Sequence, residues 1–171
     1  MTRRLSPAAW RALLVLAAMV LLLAWLERAS VPVQGEVLHV FDGDSFTMVG
    51  AGGEDEVRLF GIDSPERGQG WSRRSRKALL ELIGGERVRL AVVETDRYGR
   101  HVARVFRERD GLDVNAEQIR AGHSWVYRHY TDNEEWVALE AAARAEGRGL
   151  WSLPPADRVP PWEWRRENRR R

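Results

Sequence analysis

Five side chains dominate the chemistry this chain could perform. They are Asp44 in Asp42-Gly43-Asp44, then Arg58, Asp63 and Glu66 in Arg58-Leu59-Phe60-Gly61-Ile62-Asp63-Ser64-Pro65-Glu66, then Arg100 closing Asp96-Arg97-Tyr98-Gly99-Arg100. Two aspartates are hard oxygen donors of the type that holds Ca²⁺ or Mg²⁺. A glutamate can orient or deprotonate a water, and two guanidinium groups can each grip phosphate oxygens through paired hydrogen bonds. Such a set suits phosphodiester hydrolysis, where attacking water loads negative charge onto the non-bridging oxygens and positive charge must already be in position. Arginine is too weak an acid to be an easy proton donor, so these residues do not identify the acid for the leaving oxygen. Singly, each piece has a plainer meaning: Asp-Gly-Asp is a turn, Asp-Ser-Pro-Glu a loop or helix start, Tyr-Gly-Arg a hairpin end, Arg58 a structural arginine. Their order and spacing carry the signal.

The elements that must position these groups are short. Residues 31–35 read as a linker. Residues 36–41 and 45–49 read as strands broken at Asp42-Gly43-Asp44, residues 50–55 as a hairpin turn, and 57–62 as the return strand, stopped by Ser64-Pro65. A helix over 72–83 has Ser72 as its N-cap, Gly84-Gly85 as its stop, and Ala78, Leu79, Leu82 and Ile83 as its apolar stripe. Val88, Leu90 and Val92 alternate as a strand that meets a second strand, 101–107, around the turn at Asp96–Arg100. Asp113 caps a short helix ending at Gly122. Asp132 with Glu135 forms a capping box for a helix ending near Gly147, whose buried face carries Trp136, Leu139 and Ala143. The expected class is α+β: a small OB-type barrel of five antiparallel strands with three packed helices, preceded by one transmembrane helix.

Composition bounds the alternatives. With no cysteine, disulfides and thiolate metal sites are excluded, and His39, His101, His123 and His129 show no paired ligand spacing. The net charge is +2, but it sits at the ends. Residues 1–30 carry four arginines and one glutamate, and residues 154–171 carry six arginines and three acids, which leaves residues 31–153 acidic. Attraction to nucleic acid must therefore come from a local basic patch or a bound cation.

The apolar run Ala12–Leu26, extended back across Arg11 to Ala8, has about the length a bilayer core needs. Arg3, Arg4 and Arg11 place the N-terminus in the cytoplasm and the remainder outside it, periplasmic or extracellular. A cleaved signal peptide, giving a secreted protein, is the alternative, although a small-x-small cleavage site is poor here. Three segments follow: residues 1–30 with a signal-anchor at about 8–26, a folded domain at 31–153, and a tail at 154–171. The tail, rich in Pro, Trp and Arg, should be mostly extended.

On the stretches Val40–Ser45, Val57–Glu66, Thr95–Arg100, Asn115–Gly122 and Leu150–Ser152, the chain resembles the thermonuclease (staphylococcal nuclease) family over roughly residues 35–153. The resemblance implies Ca²⁺ held by Asp44, Asp63 and the main-chain carbonyl of Ser64, with Asp42 as a supporting carboxylate behind them. It implies Glu66 as the water-handling group and Arg58 and Arg100 on the scissile phosphate. Members cut DNA and RNA with little sequence preference and leave 3′-phosphate ends. Ser45 and Ser64 stand where threonine is common, and the loop Arg67–Trp71 is short. In Trp125-Val126-Tyr127-Arg128-His129-Tyr130, Tyr130 is the expected base-stacking residue and Tyr127 a more structural one. Aspartate ligands alone do not choose between Ca²⁺, Mg²⁺ and Mn²⁺. No protein partner is implied, and a monomer is expected. Two other readings compete. One is a catalytically silent binding module of OB type, in which unneutralised Asp44, Asp63 and Glu66 would repel a phosphate. The other is an envelope scaffold using segment 8–26 and the tail.

Overall fold

Alternating side chains along five strands close a barrel in this computed structural model, which describes residues 33–168 and, before them, Trp10, Leu13, Leu14 and residues 16–19. The strands are β1 (Val33–Val40), β2 (Ser45–Gly50), β3 (Gly53–Leu59), β5 (Arg87–Thr95) and β6 (His101–Arg107), in the closed order β1-β2-β3-β6-β5. Phe46, Met48, Val57, Leu59, Val88, Leu90, Ala103 and Val105 are buried in one continuous core. Full burial of each large apolar side chain stabilises the fold by roughly 1.5–3 kcal/mol. The strand expected to begin at Glu36 starts at Val33, so residues 33–35 are barrel and not linker. There Gly35 lies opposite Gly50, and a Cβ on it would meet the Val49 carbonyl oxygen at 2.4 Å.

Two strand expectations are corrected. The barrel is not wholly antiparallel, because β3 and β6 run parallel, with Val57 opposite His101 and Leu59 opposite Ala103. Parallel neighbours need a long crossover, which the helix α1 (Ser72–Ile83) and β5 supply. The return strand also ends early, at Leu59. Gly61, with φ +70°, turns the chain so that the two-residue strand β4 (Ile62–Asp63) pairs with β7 (Trp125–Val126) outside the barrel. A side chain at Gly61 would sit 2.8 Å from Trp136, so only glycine fits that corner.

Four α-helices are present among residues 33–168, not three. Besides α1 they are α2 (Val114–Arg120), α3 (Glu134–Ala145) and α4 (Pro161–Asn168). Leu79 and Ile83 of α1, Val114 and Ile119 of α2 and Trp136 of α3 pack on the barrel core. Asp113 caps α2 as expected, accepting from the Ala116 amide at 3.0 Å. Two caps differ. Helix α1 begins at Ser72, but its cap is Trp71, held at φ 71° with no side-chain cap bond. Helix α3 is capped by Asn133, not Asp132, through a bond from the Trp136 amide at 3.1 Å.

The tail is not extended. Two single 3₁₀ turns, Gly149–Ser152 and Pro155–Asp157, lead into α4, which starts on Pro161, a favoured first helical residue. Trp162 of α4 packs on a second apolar cluster of Trp125, Ala143, Leu150 and Trp151. The expected membrane segment, residues 8–26, falls mostly outside the described residues. Among the described residues, no helix is long and apolar enough to cross a membrane.

Candidate active site

The turn Asp42-Gly43-Asp44 is fixed from inside. The Asp42 carboxylate accepts from the Asp44 amide at 3.0 Å and from the Ser45 hydroxyl at 2.8 Å. The Gly43 carbonyl accepts from Gln118 Nε2 of α2 at 2.7 Å. Gly43 also faces buried Ser75 of α1 so closely that a Cβ there would lie 1.8 Å from its hydroxyl. The barrel end, α1 and α2 thus meet at this turn and aim Asp44 inward. At β4, Ser64 donates its amide to Asp44 Oδ2 at 2.6 Å, and its hydroxyl shares a 2.6 Å hydrogen bond with Ser124. These contacts bring together two carboxylates nearly twenty residues apart.

Asp44 and Asp63 are 2% and 1% exposed. Arg58 on β3 bridges them, with Nη1 2.9 Å from Asp44 Oδ1 and Nη2 2.9 Å from Asp63 Oδ1. Burial pushes the Asp44 carboxyl well above its ordinary range. The Arg58 charge and the Ser64 amide oppose that shift, while the neighbouring Asp42 and Asp63 charges add to it. The Asp44 charge in turn holds the Arg58 guanidinium above its already high value. The Asp44 shift is therefore first of all a cost of burying its charge, which Arg58 offsets only in part.

A cleft of about 700 Å³ opens beside these carboxylates, lined by Arg58, Glu66, Arg100, Tyr127, Tyr130 and Arg165 among others. It gathers the expected water-handling glutamate, both phosphate arginines and both candidate stacking tyrosines on one concave surface. Arg100 is not in contact with the carboxylate pair. Its guanidinium lies on Asp96, with Nε at 2.9 Å and Nη2 at 2.8 Å from Oδ2, and 5.6 Å from the Tyr98 ring. That pairing pre-shapes the turn, and Arg100 lines the same cleft as Arg58. The Arg100 side-chain and amide bonds hold the Asp96 carboxyl below its ordinary range despite its partial burial. Tyr130 is half exposed, and it packs edge-on against Tyr127 at 5.0 Å between ring centres.

The donor set fits a hard divalent cation. Two buried carboxylates already converge on one cationic group, and every nearby donor is oxygen, the ligand type of Ca²⁺ and Mg²⁺. Among the described residues, no group of three or more His, Cys, Asp or Glu side chains closes on a single point. A cation there would take few side-chain ligands and complete its shell with carbonyl, water or phosphate oxygens.

The reading of the tail as extended did not place two of its residues at this site. Arg165 of α4 forks onto Asp63, with Nη1–Oδ1 3.1 Å and Nη2–Oδ2 2.7 Å, and Nη1 is 2.5 Å from Glu66 Oε1. Trp162 lies flat on Tyr127, ring centres 5.1 Å apart and planes 1° from parallel. The sequence held one signal for them, Pro160-Pro161 ahead of Trp162, which marks a helix start. Gln69 was missed too: its carbonyl oxygen accepts from the Glu66 amide at 2.9 Å, while its Nε2 donates to the Val159 carbonyl at 2.5 Å.

Comparison with known proteins agrees with this geometry. The Staphylococcal nuclease homologue family matches residues 56–153. An uncharacterized endonuclease of Escherichia coli O157:H7 is 38% identical over 133 residues, covering 78% of this chain and 85% of that protein. Protein ParB of Escherichia coli is 36% identical over an alignment of 179 residues, covering 99% of this chain and 97% of its own. Micrococcal nuclease of Shigella flexneri is 34% identical over 145 residues, covering 80% and 82%. With more than half its length matched and these relatives aligned over most of theirs, the chain belongs to the staphylococcal nuclease homologue family.

Proposed function

We propose that this enzyme is a metal-dependent nuclease that hydrolyses phosphodiester bonds of DNA and RNA with little sequence preference and leaves 3′-phosphate ends. The observation that carries this reading is the buried pair Asp44 and Asp63 bridged by Arg58, beside a cleft that Arg58, Glu66 and Arg100 line together. Family membership and relatives named as nucleases support the hydrolase class.

Each group has a role that follows from its place. Asp44, Asp63 and the Ser64 carbonyl would hold Ca²⁺, or Mg²⁺ or Mn²⁺, and Asp42 would stiffen the turn behind them. The cation, when bound, supplies positive charge at the phosphate oxygens. Glu66 would orient a water for attack on phosphorus and accept its proton, while the bond from phosphorus to the 5′-oxygen breaks, the phosphate stays on the 3′ side and the 5′-oxygen leaves as a hydroxyl. Arg58 and Arg100, both lining the cleft, would contact the phosphate and neutralise charge that grows in the transition state. For this Arg100 exchanges its Asp96 partner for phosphate, a trade of one charge-assisted pair for another. Tyr130 offers a face on which a base stacks, with Tyr127 behind it. Stacking and phosphate contacts carry no base identity and so tolerate all sequences.

The apolar run at 8–26 would tether the enzyme as a single-pass protein with its N-terminus cytoplasmic and the nuclease domain outside. That part rests on the run's length and its flanking arginines. The test of the function is incubation of the full chain with end-labelled single-stranded DNA and RNA, in Ca²⁺ or in excess chelator. Calcium-dependent fragments ending in 3′-phosphate are expected. Intact substrate under every divalent metal, with binding retained, would instead favour the binding-module reading.

A further inference from the structure

Helix α4 lies beyond residues 56–153, the stretch that matches the family, yet its Arg165 lines the cleft and its Trp162 stacks on Tyr127, another residue of the lining. An ionised carboxylate has about four lone-pair sites. On Asp63, Arg58 takes one at Oδ1 (2.9 Å), and the Arg165 fork takes a second at Oδ1 (3.1 Å) and one at Oδ2 (2.7 Å). The same Arg165 nitrogen holds Glu66. Trp162 covers a face of Tyr127 in the stacked geometry that a nucleobase adopts on an aromatic ring. The segment is anchored independently of these contacts. Gln69 Nε2 binds the Val159 carbonyl, Arg158 Nε binds the Leu153 carbonyl at 2.7 Å, and Pro161 is buried.

We infer that residues 159–168 are an intramolecular occupant of the active site, in which Arg165 competes with a divalent cation for Asp63 while Trp162 docks the helix on Tyr127, the ring behind Tyr130. The inference rests on the reading of Asp44 and Asp63 as cation donors. A divalent cation and a guanidinium cannot share the same carboxylate edge at contact distance without strong like-charge repulsion. Arg58 touches Asp63 at Oδ1 alone, whereas the Arg165 fork covers both oxygens, so a cation reaching the Oδ2 edge must withdraw Arg165, and withdrawal releases Glu66 for its water. The two events are linked, so the cation weakens α4 docking by the same factor that α4 weakens cation binding. The anchor at Gln69 reaches the loop immediately after Glu66, which ties release of the segment to the water-handling residue.

The test compares the full chain with Arg165→Gln in two measurements made without nucleic acid. Calorimetric titration with Ca²⁺ should show roughly tenfold tighter binding by the variant, about 1.4 kcal/mol. Arg165→Lys, which keeps the charge but loses the fork, should fall between the two. In the unsubstituted chain, Ca²⁺ should also speed hydrogen exchange at the α4 amides. Equal or weaker Ca²⁺ affinity in Arg165→Gln overturns the inference, as does α4 exchange that is indifferent to Ca²⁺. If neither chain binds Ca²⁺, the cation-site reading itself falls and the inference falls with it.

Discussion

Replacing Arg58 with alanine should destabilise the fold, and the size of the loss should depend on pH and on Ca²⁺. Arg58 gives one 2.9 Å ion-pair contact to each of two carboxylates that are almost wholly buried. Removing one partner of a buried pair costs about 3–5 kcal/mol, because the other charge is left uncompensated. Asp63 keeps the Arg165 fork, so Asp44 is the main orphan, retaining only the Ser64 amide. The lower end, about 3 kcal/mol at pH 8, follows, which for a domain of this size lowers Tm by roughly 10 °C. The sign of the pH effect comes from Asp44. Its carboxyl is already raised by burial, and the variant removes the opposing charge, so the folded state binds the proton more tightly than the unfolded state. Stability is then lost as pH rises from the unfolded pKa through the folded one, and acidification returns it by letting Asp44 go neutral. Thermal melts of the variant at pH 8 and pH 5 should therefore differ by less from the parent at pH 5. Millimolar Ca²⁺ at pH 8 should recover part of the loss by supplying a cation to the same oxygens. A loss below about 1 kcal/mol at both pH values would show that Asp44 and Asp63 are not the tightly enclosed pair described here.

Gly43→Ala should disturb the site with little effect on the barrel. Its Cβ would fall 1.8 Å from Ser75 Oγ and 2.7 Å from Ser64 Oγ, an overpacking that typically costs 1–3 kcal/mol; cleavage should drop more than tenfold, and parental Tm with parental activity would contradict the crowding. His123 accepts from Trp71 Nε1 at 3.0 Å through Nδ1, and burial holds its pKa below the ordinary imidazole value, so it is neutral in the fold. Because the unfolded state takes the proton first, stability should fall as pH drops below about 6.5, and His123→Gln, which keeps an acceptor, should remove that part of the acid dependence in melts. Asp113→Ala removes the α2 cap and the partner of Arg104, with an expected cost of about 1–2 kcal/mol in urea unfolding.

Local signals were readable in the sequence because they act over a few residues. The Asp42-Gly43-Asp44 turn, the Gly84-Gly85 stop, the Asp113 cap and the apolar alternation of Val88 and Leu90 all depend on near neighbours. The shift from Asp132 to Asn133 at α3 shows the limit of that reading, since two adjacent capping residues are equivalent until Trp136 chooses its burial direction. The parallel β3–β6 pair depends on barrel closure between strands more than forty residues apart, which no short pattern records. Trp71 has a left-handed backbone and its ring donates to His123 at 3.0 Å, a partner some fifty residues away that no local pattern records. At the site, the sequence identified the groups that the cleft gathers, and their spacing along β2, β3 and β4 already brought Asp44, Arg58 and Asp63 near one another. It did not reveal that Arg100 rests on Asp96, or that α4 returns Arg165 to Asp63 and Glu66 from about a hundred residues away. An Arg-rich tail looks solvated until the carboxylates it meets are placed in space.

The central claim, that Glu66 handles the attacking water in a cation-assisted nuclease site, is tested most directly by single-turnover cleavage of single-stranded DNA at saturating Ca²⁺, with the full chain beside Glu66→Gln. The account predicts a fall of about 10²–10⁴-fold in the cleavage rate, the usual contribution of a positioned general base, with Ca²⁺ and DNA binding retained. A Glu66→Gln rate within a few-fold of the parent would contradict it.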